Sequence, residues 1–222
     1  MEPAFDISVW TESFKDKLIS LFGSRLLFFG LQGSYGRGEQ TPESDIDVVV
    51  ILDAVSFDDL KVYRDMIDSM ECSELICGFV SGKAELLNWE KSDLLNLIVD
   101  TVPIVGSLDN LRSLISDEDI SRAVLSGACN IYHACSHNFL HARSFDVLAS
   151  LYKMARFTVR MKYLKTTGTY ISSMTVLEEA VSAPDKTIMH IAGNIKHEDD
   201  AESFDRLSRV LIEWASGIIK MG

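Results

Sequence analysis

The sequence lacks the features that are typical of membrane-spanning or secreted proteins and of disulfide-rich proteins. No apolar run approaches the roughly 20 residues that a bilayer-spanning helix needs, and the first ten residues do not join a basic stretch to an apolar one. The four cysteines form no C-x-x-C pair and are too sparse for a disulfide framework. We therefore expect a cytoplasmic protein with reduced, mostly buried thiols.

Positive charge is also scarce. The 21 Lys and Arg residues are outnumbered by 33 Asp and Glu residues, which gives a formal net charge of −12. Nucleic acids and anionic membranes bind to surfaces with clustered Lys and Arg, so neither is expected as a general partner. With 222 residues, of which 47% are hydrophobic, the chain can bury a substantial core.

The first half of the chain predicts a small α/β domain with a mixed sheet, over residues 1–115. Apolar residues at helical spacing predict a helix that ends at Gly23, and Ser56 with Asp59 resembles a capping box that opens another. Short apolar runs rich in branched residues predict strands. The predicted strands are 26–31, 46–52, about 74–80 and an edge strand around Pro103.

The second half, residues 116–222, predicts an all-α helical bundle of the up-down kind. Strand signals disappear after about Ser116, and apolar residues trace long helical faces around 120–135, 145–159 and 204–218. Shorter helices are expected near Ser173 and Thr187. The segment "SLDNLRSLISDED" is the predicted junction between the two halves.

A glycine-rich turn follows the first predicted strand, in "FFGLQGSYGRGEQTPESDIDVVVIL". The dinucleotide-binding pattern G-x-G-x-x-G fails because Thr41 stands at its third position, and a P-loop fails because the turn contains no lysine. What remains is Gly33-Ser34, ten residues, and Asp45-Ile46-Asp47 at the start of a strand.

The two aspartates predict a metal site. Strand side chains alternate, so Asp45 and Asp47 point to one face while Ile46 points to the core. Paired carboxylates repel unless a cation lies between them, and oxygen ligands favour Mg²⁺ or Mn²⁺ with substrate phosphates. Gly33 and Ser34 would let those phosphates approach the backbone, and Arg37 adds a charged donor.

The stretch "GSYGRGEQTPESDIDVVV" resembles the signature of the DNA polymerase β-like nucleotidyltransferase superfamily. An α/β half followed by a helical bundle resembles the kanamycin nucleotidyltransferase type. The resemblance implies that Gly33 and Ser34 hold a nucleoside triphosphate and that Asp45 and Asp47 bind metal and are catalytic. It also implies transfer of a nucleoside monophosphate, here AMP from ATP, to a hydroxyl acceptor with release of pyrophosphate. A homodimer is expected on the same ground.

A third carboxylate is the point where the sequence departs from that family, which carries it on the third strand. In "CSELICGFVSG" only Glu74 is available, near the start of the predicted strand. We consider Glu74 as the third catalytic residue. The alternative is that it is a solvated glutamate, with Cys77 or Gly78 at the family's acidic position.

Two clusters in the second half are candidates for further roles. Lys153, Arg156 and Arg160 fall on one predicted helix face, and Lys153 is a candidate to bind the nucleotide, as a lysine of the corresponding helix does in the kanamycin enzyme; the alternative is a solvated face. His133, His137 and His141 recur every four residues. They could hold a metal, although packing or an interface is the expected use.

The sequence therefore predicts a metal-dependent nucleotidyltransferase that acts on a small-molecule hydroxyl acceptor. The rival is a degenerate member that binds nucleotide or a partner protein, as an antitoxin does, motivated by the uncertain third carboxylate. A third alternative is an enzyme that modifies a hydroxyl of protein or RNA, against which the negative charge counts in the case of RNA.

Overall fold

The computed structural model describes residues 5–41, 44–195 and 201–221. Its chain divides into two compact units, 1–114 and 115–222. The boundary lies within the segment 107–119, where the sequence predicts the junction. None of the helices in the described ranges has the length and apolar character that crossing a membrane would require.

The first unit is built around a mixed four-stranded sheet in its described part, with the order β3-β2-β1-β4. The strands are β1 (Leu26–Leu31), β2 (Ile46–Leu52), β3 (Ile76–Gly82) and β4 (Val102–Val105). β1 pairs antiparallel with β2 and β4, whereas β2 and β3 are parallel. The predicted mixed sheet is confirmed, and β4 with its proline lies at the edge.

Helices α1 (Ile7–Phe22) and α3 (Phe57–Asp68) pack on one face of the sheet. Asp6 caps α1. The apolar side chains of α1 form the core together with alternate residues of β2. Ser56 and Asp59 form the predicted capping box at the start of α3. This face therefore buries the even-numbered residues of β2, and the odd-numbered residues, including Asp47, point to the opposite face.

Short helices complete the first unit. They are α2 (Gly33–Arg37), α4 (Lys83–Asn88), α5 (Lys91–Asp100) and α6 (Asp109–Arg112). Helix α2 occupies the predicted glycine turn, so that turn is a single helical segment rather than an open loop. The second unit contains α7 (Asp117–His137), α8 (Phe145–Thr167), α9 (Met174–Ala180), α10 (Asp185–Asn194) and α11 (Ala201–Met221).

The second unit is held by buried polar contacts as well as by its apolar faces. The Tyr152 hydroxyl on α8 donates to the Leu207 carbonyl of α11 at 2.9 Å. Asp185 of α10 accepts from Lys162 of α8 and from the Trp214 indole of α11, at 2.7 to 2.9 Å. These contacts link three helices, in agreement with the predicted all-α half.

The cysteines are free, but they are not mostly buried as predicted. Cys77 and Cys129 are exposed, Cys72 is half-buried and Cys135 is buried. Burial raises the pKa of the Cys135 thiol to about 11, because the thiolate would lose its hydration inside the helical unit. The helical pattern around Cys129 places it on the outer side of α7.

Candidate functional site

Asp45 and Asp47 flank the first residue of β2. Ile46 between them is fully buried in the core, Asp45 is exposed and Asp47 is half-buried. Because strand residues alternate, both carboxylates belong to the face of the sheet opposite α1 and α3. The structure thus brings the two aspartates to one side, at the end of the strand where the chain enters the sheet.

Gly33 joins the glycine turn to this carboxylate pair. Its φ of 67° lies in the left-handed region, which favours glycine. A Cβ atom built on Gly33 would overlap Oδ2 of Asp47. In addition, the Gln32 amide N–H donates to the Asp47 backbone carbonyl at 2.8 Å. The turn and the second aspartate are therefore in direct contact, which the spacing in the sequence does not reveal.

Ser34 and Arg37 lie on α2, the helix that begins at Gly33. The Ser34 carbonyl accepts from the Glu39 amide at 2.9 Å and so closes the end of α2. The Arg37 guanidinium pairs with Asp100 at 2.7 Å and with Glu39 at 3.1 Å. Arg37 thus ties α2 to the end of α5, and its predicted contact with nucleotide stays a prediction.

The third-strand prediction is wrong in one respect: Glu74 does not lie in the strand. It is exposed in a 3₁₀ turn (Ser73–Leu75), and β3 begins at Ile76. The cause is Cys72, whose left-handed φ of 56° turns the chain before the strand starts. In the parallel register Asp47 pairs with Cys77.

Cys77 therefore occupies the position beside Asp47 on the carboxylate face. Its side chain is exposed, whereas Gly78 belongs to the other face, where an added Cβ would overlap the Val48 carbonyl. The register thus puts a thiol next to the second aspartate. A catalytic role for Glu74 stays a prediction, without support from the strand register.

The donor set fits a Mg²⁺ ion that is shared with a substrate. In the described part of the chain, no three His, Cys, Asp or Glu side chains come together as a metal-binding group. Mg²⁺ usually takes only one or two carboxylates, with phosphates and water as the other ligands. Asp45 and Asp47 supply that number, and the contact between Gly33 and Asp47 puts the glycine turn beside them.

The predicted basic face of α8 is only partly a surface. Lys153 is exposed on the second unit, and Arg156 is half-buried. Arg160 is 1% exposed, so the alternative of a solvated face is wrong for this residue. Its guanidinium donates to the Tyr170 hydroxyl at 3.0 Å and to the Ser172 carbonyl at 2.7 Å. Arg160 thus fixes the segment after α8, and a role for Lys153 with nucleotide stays a prediction.

The three histidines lie together on the outer side of the second unit. His133 and His137 have ring centroids 6.4 Å apart, and those of His137 and His141 are 4.6 Å apart. All three are exposed. A π-helical turn (Asn138–Ala142) follows α7 and brings His141 closer to His137 than a continued α-helix would. No function follows from this arrangement of tilted rings.

Gln32 and Asp100 are the members of the site region that the sequence did not identify. Gln32 contacts Asp47 through its backbone N–H, and a backbone contact leaves no residue pattern in the sequence. Asp100 is 63 positions from its partner Arg37, so no local pattern connects them. Only the pairing of α2 with α5 in three dimensions reveals the contact.

A sequence profile described as a nucleotidyltransferase domain matches residues 10–124, more than half of the chain. The chain belongs to the nucleotidyltransferase domain family. The match contains the glycine turn, both aspartates and β3, and it confirms the resemblance drawn from the motif. Membership in this family supports nucleotidyl transfer as the type of reaction.

Two similar proteins extend the comparison. A putative protein adenylyltransferase from Methanocaldococcus jannaschii is 38% identical over 60 residues, which cover 27% of this chain and only 50% of that protein. The crystal structure of spectinomycin adenyltransferase AAD(9) from Enterococcus faecialis, with ATP and spectinomycin, aligns at a TM-score of 0.61. It shares 14% identity and covers 96% of this chain and 99% of its own. At that identity the likeness shows the fold alone.

Proposed function

We propose that this nucleotidyltransferase family member transfers AMP from Mg²⁺–ATP to a hydroxyl acceptor and releases pyrophosphate. The observation that carries the proposal is the contact of Gly33 with Asp47. It joins a glycine turn suited to phosphates to a carboxylate suited to the metal that phosphates bring. Both similar proteins carry names of adenyl transfer, which supports ATP as the donor.

The bond changes define what the chain must do. The acceptor oxygen forms a bond to the α-phosphorus, the bond from that phosphorus to the bridging oxygen of pyrophosphate breaks, and the acceptor hydroxyl releases its proton to water. Asp45 and Asp47 would hold the metal, which neutralises charge on the phosphates. Gly33 and Ser34 would position the triphosphate, and positioning is a large part of catalysis in such reactions.

The acceptor is proposed as a small molecule. Spectinomycin in the AAD(9) structure supports this class, whereas the name of the archaeal relative supports a protein hydroxyl. A homodimer and a cytoplasmic location remain part of the proposal on the resemblance alone. The proposed domains are those of the sequence prediction, 1–115 and 116–222.

Pyrophosphate release tests the reaction. The protein is incubated with Mg²⁺–ATP and panels of small hydroxyl compounds and of proteins, and pyrophosphate is measured together with AMP attached to the acceptor. We expect release that depends on an acceptor and is lost in Asp47→Asn, because the carboxylate that binds metal is gone. Release that persists undiminished in Asp47→Asn would overturn the assignment.

The register of β3 favours a second candidate, a nucleotide-binding member without catalysis. Asp47 pairs with Cys77 where an acid would complete the set. This candidate predicts tight Mg²⁺–ATP binding with no pyrophosphate from any acceptor. It also predicts that Cys77→Asp creates turnover where the parent has none, since a positioned base contributes about 10²- to 10⁴-fold. Cys77→Ser is the matched control, and it should remain without turnover.

A further inference from the structure

A cavity of about 230 Å³ lies in the first unit, between α4, α5 and the sheet. Its lining includes Gln32, Phe79, Trp89, Asp93 and Asn96, and the remaining side chains are leucines. Ligand sites for drug-sized molecules are usually larger, about 300 to 1,000 Å³. The volume therefore suits one ring system of a larger ligand rather than a whole drug-sized molecule.

The cavity opens on the same face of the sheet as Asp47. In the parallel register Val49 pairs with Phe79, and Val49 is two residues along β2 from Asp47, so Phe79 points to the carboxylate face. At the other end of the cavity, Gln32 directly precedes Gly33. The backbone N–H of Gln32 donates to the backbone carbonyl of Asp47. A ligand with phosphates at Gly33 thus has this cavity beside it.

The side chains that line the cavity suit a flat, neutral group. Phe79 and Trp89 meet edge to face, with centroids 5.2 Å apart and an angle of 89°. Trp89 is 40% exposed, and aromatic side chains of this kind stack on nucleobases. None of the described lining residues is cationic. The cavity is therefore unsuited to a phosphate and suited to a neutral ring.

Asn96 supplies the specific group. Its Oδ1 atom is buried and has no hydrogen-bond partner among the described residues. A buried acceptor without a partner costs free energy, and a rotation of the Asn96 amide toward the cavity would let a ligand N–H recover it. A side-chain amide can accept from the amino group of adenine and donate to its N7, whereas guanine presents two acceptors on that edge.

We propose that this cavity binds the adenine ring of the nucleotide, with Asn96 selecting adenine over guanine and Trp89 stacking on the ring. The proposal rests on the proposed function for the placement of the phosphates. It assigns the base preference to residues of α5 and of the turn after α4. The helix α5 then has two roles, since its last residue, Asp100, also holds Arg37 of α2.

Calorimetry on the unaltered protein gives the first test. ATP, GTP and the triphosphate of purine riboside, which lacks the amino group, are titrated with Mg²⁺. We expect ATP to bind roughly 10- to 100-fold more tightly than either analogue, the range for a bidentate amide–adenine pair. Equal affinities for the three nucleotides would overturn the proposal.

Variants locate the selectivity. Asn96→Ala should bring the ATP and GTP affinities together, while Asn110→Ala, an exposed asparagine on α6, should leave the preference intact. Trp89→Leu should weaken both nucleotides. A preference for ATP that survives in Asn96→Ala would contradict the assignment, and thermal unfolding checks that each variant is folded.

Adenosine and guanosine without metal separate this proposal from the proposed function. Adenosine should bind more tightly than guanosine, and that preference should disappear in Asn96→Ala, whether or not Mg²⁺–ATP binds. If Mg²⁺–ATP binds but ATP and GTP are equal, the cavity assignment fails and nucleotidyl transfer stands. If adenosine binds through Asn96 but Mg²⁺ adds nothing to ATP binding, the cavity stands and the proposed function fails.

Discussion

Among single residues, Gly33 makes the closest contact between the glycine turn and the Asp47 carboxylate. It needs a positive φ, and it also needs an α-carbon without a substituent because Asp47 packs against it. These are separate requirements. Gly38 shares the first, with a φ of 68°, but an added Cβ there meets nothing within 4 Å.

Gly33→Ala and Gly38→Ala therefore form a matched pair. Both should destabilise the protein by about 1 to 2 kcal/mol, because alanine is strained in the left-handed region. Only Gly33→Ala should also displace the Asp47 carboxylate and abolish Mg²⁺-dependent ATP binding. Thermal unfolding and calorimetry on both variants check this. Similar loss of ATP binding in the two variants would show that backbone strain alone matters.

The hydroxyl of Tyr63 is a cost to the core. It is buried without a hydrogen-bond partner among the described residues, and its ring packs beside Phe14. Tyr63→Phe should therefore stabilise the protein by about 1 kcal/mol in urea unfolding at pH 7. Tyr152→Phe is the control, since the Tyr152 hydroxyl bonds to the Leu207 carbonyl, and it should destabilise by a similar amount.

Burial also raises the pKa of Tyr63, because the phenolate would lose its hydration. In the unfolded chain the group ionises near its usual pKa of 10.0, while in the folded protein it keeps its proton. Stability must fall as the pH rises above about 10, since the unfolded state then binds fewer protons. In Tyr63→Phe this alkaline loss should be smaller. An unchanged slope would contradict the buried hydroxyl.

At the scale of elements, two helices begin with the same device. Ser56 with Asp59 opens α3, and Ser116 with Asp119 opens α7, each as a capping box. The Arg25 guanidinium holds the pKa of Asp59 well below its usual range, helped by Ser56. The Ser116 amide and hydroxyl lower that of Asp119, with Arg122 adding to the effect.

Each carboxylate therefore stabilises the folded state above its usual pKa of 3.8, and this contribution is lost as the pH falls further. Asp59→Asn and Asp119→Asn should each lower the melting temperature at pH 7 and reduce the additional loss between pH 4 and pH 2. Melting curves across this range check the sign. A variant that melts like the parent at pH 7 would show that its box contributes nothing.

The elements also show what sequence can predict. The bounds of β1 and β2 match the prediction, because each is a short, nearly continuous apolar run with polar residues on both sides. The start of β3 does not match, since Cys72 adopts a left-handed turn that no residue type signals. Arg160 was misplaced for a similar reason. Its partners in the segment 170–174 cover a helix face that looks polar in the sequence.

At the scale of the whole molecule, the sequence explains the motif of the first unit but not the contacts around it. The motif is a local pattern, so the family and the roles expected of the turn and the two aspartates follow from about twenty residues. The adenine cavity draws on residues from 32 to 97, and the pairing of Arg37 with Asp100 spans a similar distance. Contacts of that separation depend on the folded sheet and cannot be predicted from spacing.

Calorimetry tests most directly whether Asp45 and Asp47 hold the Mg²⁺ ion of Mg²⁺–ATP. The affinity for ATP is measured with and without Mg²⁺, on the parent and on the double variant Asp45→Ala with Asp47→Ala. We predict that Mg²⁺ strengthens ATP binding in the parent and has no effect in the double variant, which should remain folded. ATP binding that is independent of Mg²⁺ in the parent, or Mg²⁺-dependent binding that survives in the double variant, would contradict the account.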